Sequence, residues 1–119
     1  MEKGQFYETK AIEHLKLKGY KILETNFRTR FGEIDVIGKD RNYVALIEVK
    51  ARRIGFLVSP KEAIDRAKQT RLELAAKTYS KRKPDANYRF DVVSIVDGGN
   101  WRRYELIKGA FYVGEIREQ

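Results

Sequence analysis

The sequence has no cysteine, a single histidine and no long apolar run. Without cysteine there can be no disulfides, thiolate zinc sites or iron–sulfur clusters, and the chain suits a reducing compartment. With His14 as the sole histidine, a metal site built from several histidines is also excluded. No segment approaches the roughly 20 apolar residues that span a membrane, and residues 1–4 lack the layout of a signal peptide. We therefore expect a cytoplasmic protein with no membrane partner.

Positive charge, in contrast, is abundant. The 119 residues include 25 Lys and Arg against 17 Asp and Glu, which gives a net charge of +8. This excess predicts attraction to a polyanion such as DNA, RNA or an anionic surface. The length suits one domain covering residues 1–119, and a hydrophobic content of 42% argues against global disorder.

The hydrophobic pattern predicts the element order αβββαββ. A first helix over residues 5–18 should end at Gly19, and Ser59-Pro60 should begin a second helix that ends near Lys81. The apolar stripe expected on the second helix is Ala63, Ile64, Ala67, Leu74, Ala75 and Thr78 or Tyr79. The five predicted strands are residues 20–28, 32–38, 43–52, 88–96 and 101–108, with a hairpin turn over residues 39–42.

These elements predict an α/β fold with a mixed five-stranded sheet flanked by helices. The first three strands should form an antiparallel meander. The second helix connects the third strand to the fourth, so that pair should be parallel, joined by a right-handed crossover. The third strand is apolar on both faces for most of its length, which is typical of a central strand covered on both sides.

Charged residues interrupt two of these apolar strands. Asp35 lies in the second strand, and Glu48 and Lys50 lie on one face of the third. A carboxylate buried in a core strand costs several kcal/mol without a partner. A divalent cation with oxygen ligands would explain two acids and an amine in this region. The alternatives are that the backbone caps Asp35 and that Glu48 and Lys50 form a structural salt bridge.

Three further acids have less specific patterns. Glu8 shares a face of the first helix with apolar residues, so it could join the two strand acids or could be a solvated helix residue. Glu33 and Asp91 are interpreted as structural or surface residues.

The ordered set of motifs resembles a known group of nucleases. Gly32-Glu33-Ile34-Asp35-Val36-Ile37, followed by Ile47-Glu48-Val49-Lys50-Ala51-Arg52, resembles the PD-(D/E)xK superfamily with its restriction-endonuclease-like fold. The chain is most similar to the YraN-like family, small basic bacterial proteins related to archaeal Holliday junction resolvases. The resemblance covers nearly the whole chain and includes Gly19-Tyr20, Asn26-Phe27-Arg28 and Arg89-Phe90-Asp91-Val92-Val93.

This resemblance implies a metal-dependent, structure-selective endonuclease that hydrolyses DNA in repair or recombination. Mg²⁺ or Mn²⁺ would be bound by Asp35 and Glu48, with the Val49 carbonyl nearby and Glu8 completing the shell. Lys50 would act with Asp35 and Glu48 in catalysis, by orienting or deprotonating water or by offsetting charge on the phosphate. The alternative is a non-cleaving nucleic-acid-binding protein on a nuclease fold. The analogy with resolvases also suggests a homodimer.

Basic residues flank the proposed site. Arg28 and Arg30 precede the acidic strand, and Arg52 and Arg53 follow Lys50, so all four are candidates for phosphate contacts. Lys68, on the second helix, could reach the site or could be an ordinary helix lysine. Because nothing resembles a major-groove recognition helix, we expect binding to branched or single-stranded DNA.

Overall fold

The computed structural model describes residues 3–54 and 66–111. It confirms the predicted element order. The elements are α1 (Lys3–Leu17), β1 (Lys21–Thr29), β2 (Gly32–Asp40), β3 (Tyr43–Arg53), α2 (Arg66–Ser80), β4 (Asn87–Asp97) and β5 (Arg102–Phe111). The predicted helix start at Ser59-Pro60 lies outside the described residues.

The five strands form one mixed sheet in the order β1-β2-β3-β4-β5. β3 pairs parallel with β4, and every other neighbouring pair is antiparallel, as the crossover argument predicts. β3 is therefore the central strand. Val44 and Leu46 on one face and Ala45 and Ile47 on the other are all buried, which confirms that both faces are covered.

Each face of the sheet has its own hydrophobic core. On one face, α1 packs Tyr7, Ala11 and Leu15 against a group of strand residues comprising Val36, Ala45, Ile47, Val93 and Ile95. On the other face, α2 packs against Ile34, Ile37, Val44, Leu46 and Phe90. No helix among the described residues is both long and apolar enough to cross a membrane.

The buried side of α2 matches the predicted stripe at Ala75 and Tyr79 and differs from it elsewhere. Ala67 is exposed, Leu74 and Thr78 are only partly buried, and Ala63 and Ile64 lie outside the described residues. The buried residues are Leu72, Glu73, Ala75, Ala76 and Tyr79. Leu72, Ala75, Ala76 and Tyr79 have the i, i+3, i+4, i+7 spacing of one helix face. Ala67, Leu74 and Thr78 lie on another side of α2 from the face that meets β2.

Two local boundaries follow from backbone conformation. α1 ends as predicted at Gly19, whose φ of 94° lies in the left-handed region that glycine adopts without strain. The β2–β3 turn is shorter than predicted, because Lys39 and Asp40 still pair with Val44 and Tyr43. Only residues 41–42 form the turn.

A polar network closes the end of the sheet nearest this turn. The Arg89 guanidinium donates to both carboxylate oxygens of Asp91 and to Asp40, at 2.7 to 2.9 Å. The Tyr20 hydroxyl also donates to Asp91, at 2.7 Å. Asp91 is 1% exposed and fully engaged in this network, which confirms its structural interpretation.

Candidate functional site

At the other end of the sheet, β2 and β3 separate. Their pairing runs from Asp40–Tyr43 to Val36–Ile47, whereas β2 remains paired with β1 as far as Gly32. Asp35 is the first β2 residue beyond this pairing. Its Oδ2 accepts a hydrogen bond of 2.9 Å from the Val49 backbone N–H. The carboxylate of Asp35 therefore lies where the two strands part.

The side-chain alternation of β2 also breaks at Asp35. Residues two apart in a regular strand share a face. Ile34, however, packs in the core under α2, and Val36 packs in the core under α1. This irregularity places Asp35 between the two cores, where the negative charges of Glu48 and Glu8 both raise its pKa.

The electrostatic surroundings make the Asp35 carboxylate unusually basic. Burial, reinforced by the negative charges of Glu48 and Glu8, raises the pKa of Asp35 to about 7. The Val49 N–H and the Lys68 ammonium act in the opposite direction but do not cancel that shift. Near neutral pH the Asp35 carboxyl is therefore partly protonated, and a cation would compete with its proton.

Three carboxylates converge at this point from separate elements. They belong to Glu8 on α1 and to Glu33 and Asp35 on β2. Each residue contributes one carboxylate oxygen to a group in which all three oxygens lie within 4.8 Å of one another, and all three residues are partly buried. Glu8 and Asp35 are the expected residues. Glu33 is an addition, because the sequence interpretation assigned it a structural or surface role. Its i, i+2 spacing from Asp35 was the available signal, since that spacing puts two side chains on one side of a strand.

Asn26 bridges two of these acids. Its side-chain amide donates to both carboxylate oxygens of Glu8, at 3.0 Å each, and to Glu33 Oε2 at 2.6 Å. The Asn26 backbone has a φ of 53°, in the left-handed region. Asparagine is one of the few non-glycine residues that adopt this conformation with modest strain. The sequence interpretation gave Asn26 no role, because its contacts depend on strand pairing.

A cavity of about 300 Å³ opens beside this group of acids. It is lined by Gln5, Glu8, Thr9, Ile12, Thr25 and Asn26. Glu8 and Asn26 are therefore reachable from solvent on the α1 side.

Glu48, which was expected as a metal ligand, is not one of these three acids and forms an ion pair with Lys68. It is 8% exposed, and its Oε2 lies 2.6 Å from the Lys68 ammonium. Lys68 on α2 therefore does reach the site. Within the described part of the chain, no carboxylate lies within ion-pair distance of half-buried Lys50. The alternative of a structural salt bridge between Glu48 and Lys50 is thus replaced by an ion pair between Glu48 and Lys68.

The predicted phosphate-contacting arginines occupy several positions. Arg28 is exposed and forms a 3.4 Å ion pair with Glu33, and Arg30 lies 4.9 Å from the Phe31 ring centroid. Arg52 and Arg53 are exposed at the end of β3. Consecutive strand residues face opposite sides, and the charge of Arg53 acts on Asp97 and Tyr7 on the α1 side.

Fold and site together define a small basic α/β protein whose mixed sheet carries a carboxylate cluster where two strands separate. The chain belongs to the uncharacterised protein family UPF0102, whose family model matches residues 7–95. A UPF0102 protein of Thermodesulfovibrio yellowstonii is 43% identical over 113 residues, covering 94% of this chain and 97% of the relative. One of Clostridium botulinum strain Hall is 42% identical over 115 residues, covering 92% and 94%.

Proposed function

We propose that this protein is a divalent-cation-dependent endonuclease that hydrolyses phosphodiester bonds in branched or single-stranded DNA. The observation that carries the proposal is the convergence of Glu8, Glu33 and Asp35, with Glu48 acting on the charge of Asp35. The net charge of +8 and the resemblance of the strand motifs to PD-(D/E)xK nucleases support the same activity.

The carboxylates fit a Mg²⁺ or Mn²⁺ ion. Two oxygens bound to one Mg²⁺ ion lie at most about 4.2 Å apart, twice the bond length of roughly 2.1 Å. The three acids have oxygens within 4.8 Å of one another, so small side-chain shifts would bring them to the ion. Asp35, Glu8 and Glu33 would hold the ion, and Glu48 with the Val49 carbonyl would join them. When bound, the ion polarises the phosphate and lowers the pKa of a coordinated water.

The chain's own residues supply the remaining functions. Lys50 is half-buried and has no carboxylate partner in the described structure. Its ammonium can therefore donate to a scissile phosphate oxygen or orient the attacking water. Arg28 and Arg30 before the acidic strand, and Arg52 after Lys50, would hold the flanking phosphates. Lys68 would also contact the phosphate once it has left Glu48.

A second candidate function is nucleic-acid binding without cleavage. The 2.6 Å ion pair between Lys68 and Glu48 favours it, because the lysine already neutralises one of the expected ligands. The two functions differ in one measurement. A nuclease cuts linear, forked or four-way DNA when Mg²⁺ or Mn²⁺ is added, whereas a binding protein shifts the same DNA in a gel and leaves it intact.

Variants of the acids test the assignment directly. Asp35→Ala or Glu48→Ala should abolish cleavage but retain DNA binding, because the carboxylates serve the ion and not the phosphate backbone. Asp85→Ala is the matched control, since Asp85 is exposed in the turn after α2, and it should cut like the parent. Undiminished cleavage by the Asp35 and Glu48 variants would refute the catalytic assignment.

A further inference from the structure

Strand register aligns two arginines on the face of the sheet that carries Glu48 and Lys50. Arg52 on β3 lies opposite Val96 on β4, and Val96 lies opposite Arg103 on β5. Directly opposed residues share a face. Because Glu48, Lys50 and Arg52 alternate along β3, all three also share that face. Arg103 is therefore on the same face as Glu48 and Lys50, two strands away from Arg52.

Among the described residues, this face of the sheet is exposed at β5. α2 packs over β2 and β1. Glu48 on β3 lies opposite Val92 on β4, and Val92 lies opposite Ile107 on β5. Ile107 is 39% exposed. Arg52 and Arg103 are both exposed. A polyanion leaving the site across β4 would meet both guanidinium groups.

The neighbouring arginine, Arg102, has a different environment. It lies 5.3 Å from the Phe6 ring centroid and donates to the Tyr104 hydroxyl at 3.4 Å, so it is held against α1 on the opposite face. No carboxylate of the described residues lies within ion-pair distance of Arg103. Arg102 and Arg103 thus lie on opposite faces of the sheet and differ in their contacts. Arg102 is therefore a matched control for Arg103.

We propose that Arg103, together with Arg52, forms a phosphate-contacting surface that extends the nucleic-acid path from the carboxylate site across β4 to β5. This inference rests on the proposed nucleic-acid substrate and adds a binding surface that the β3 motif does not include. Two residues before Arg52, Lys50 lies opposite Ser94 on β4, and Ser94 lies opposite Glu105 on β5. The path therefore passes close to the Glu105 carboxylate, which repels phosphate.

Binding measured in EDTA tests the surface independently of cleavage. A labelled single-stranded oligonucleotide is titrated against the parent, Arg103→Ala and Arg102→Ala at several salt concentrations. Loss of one phosphate contact should lower the salt slope by about 0.7 for a single strand. Arg103→Ala should therefore bind several-fold more weakly with this lower slope, and Arg102→Ala should bind like the parent. Arg103→Lys should keep the slope, and Glu105→Gln should tighten binding.

Trp101 locates the contact. It is the only tryptophan, it is 47% exposed, and it lies two residues before Arg103. Its emission should change when the oligonucleotide binds to the parent, and this change should weaken in Arg103→Ala.

Two results would overturn the surface. One is that Arg103→Ala binds with the affinity and salt slope of the parent. The other is that Arg102→Ala loses as much affinity as Arg103→Ala. Melting temperatures would confirm that both variants fold. If the parent cuts DNA and Arg103→Ala binds normally, only the surface is refuted. If Arg103→Ala weakens binding but no condition gives cleavage, the surface stands and the nuclease proposal is refuted.

Discussion

At the scale of single residues, Asn26 and Lys50 differ in how their neighbours constrain them. The side-chain amide of Asn26 donates hydrogen bonds to both Glu8 and Glu33. Lys50 lies beside buried Glu48 in sequence, yet its amine has no acidic partner among the described residues. Asn26 therefore links two of the site's acids, and we propose that Lys50 acts on the substrate.

Replacing Asn26 should separate its two contributions. Asn26→Gly keeps the left-handed backbone but removes the amide, so the unrelieved repulsion between Glu8 and Glu33 should lower the metal-free melting temperature. Added Mn²⁺ should then raise that temperature more than in the parent, because the ion replaces the lost donor. Asn26→Ala should be less stable than Asn26→Gly by about 1 kcal/mol, the cost of a left-handed Cβ. Equal melting curves for all three proteins would exclude this role.

Lys50→Arg tests whether the amine does more than balance charge. The guanidinium is wider and does not deprotonate. We expect at least about a tenfold loss in cleavage rate, equivalent to about 1.4 kcal/mol of activation barrier. Lys39→Arg, at an exposed lysine near the other end of β2, is the control. A near-parental rate for Lys50→Arg would reduce Lys50 to a counter-charge.

At the scale of elements, the site depends on the way in which β2 leaves β3 and on the position of α2. The separation of the strands exposes the Val49 N–H to Asp35. α2 brings Lys68 to Glu48 from the opposite side. In the proposed metal site, an ammonium at this position would compete with a divalent cation for the same carboxylate.

Lys68→Met should therefore change stability and metal affinity in opposite directions. Without metal, the nearly buried Glu48 loses its counter-charge, so the melting temperature should fall. The Mn²⁺ concentration needed for half of the thermal shift should also fall, since no ammonium has to be displaced. Lys77→Met, at an exposed lysine in the last turn of α2, should change neither quantity. An unchanged Mn²⁺ midpoint in Lys68→Met would show that the lysine does not compete.

At the scale of the whole molecule, assembling the acids links folding to pH and to metal. In the unfolded chain Asp35 titrates near pH 4, whereas in the fold its pKa is about 7 because of burial and of Glu48 and Glu8. Between these values the folded protein binds a proton that the unfolded chain does not. The contribution of Asp35 to stability therefore falls as pH rises through this window. His14 contributes with the opposite sign, since burial lowers its pKa.

The difference between the parent and Asp35→Asn isolates this effect, because His14 is common to both. In EDTA, Asp35→Asn should melt several degrees above the parent at pH 8, and the gap should narrow towards pH 5. Mn²⁺ should raise the melting temperature of the parent only. At ten times Kd, the free energy of unfolding should increase by about 1.4 kcal/mol. It should act at lower concentrations than Mg²⁺. That shift should shrink below pH 7 as protons compete.

A parent protein whose melting curve ignores millimolar Mn²⁺ at pH 8 would contradict the metal site. So would a gap between parent and Asp35→Asn that does not change with pH.

The sequence by itself determined the element order and the parallel pairing of β3 with β4. These follow from local periodicity and from the geometry of a helical crossover, which act over short stretches of chain. It also identified Asp35, Glu48 and Glu8 as acids on apolar elements. The structure places the carboxylates of Asp35 and Glu8 together and shows that Glu48 acts on Asp35.

Only the tertiary structure decided which groups these acids meet. Glu8 meets Glu33 and Asp35 because α1 packs against β1 and β2, and Asn26 reaches Glu8 across 18 residues. Lys68, not Lys50, pairs with Glu48 because α2 turns the Leu72–Tyr79 face towards the sheet. Strand register and helix rotation depend on the packing of the whole core, and no local sequence pattern encodes either.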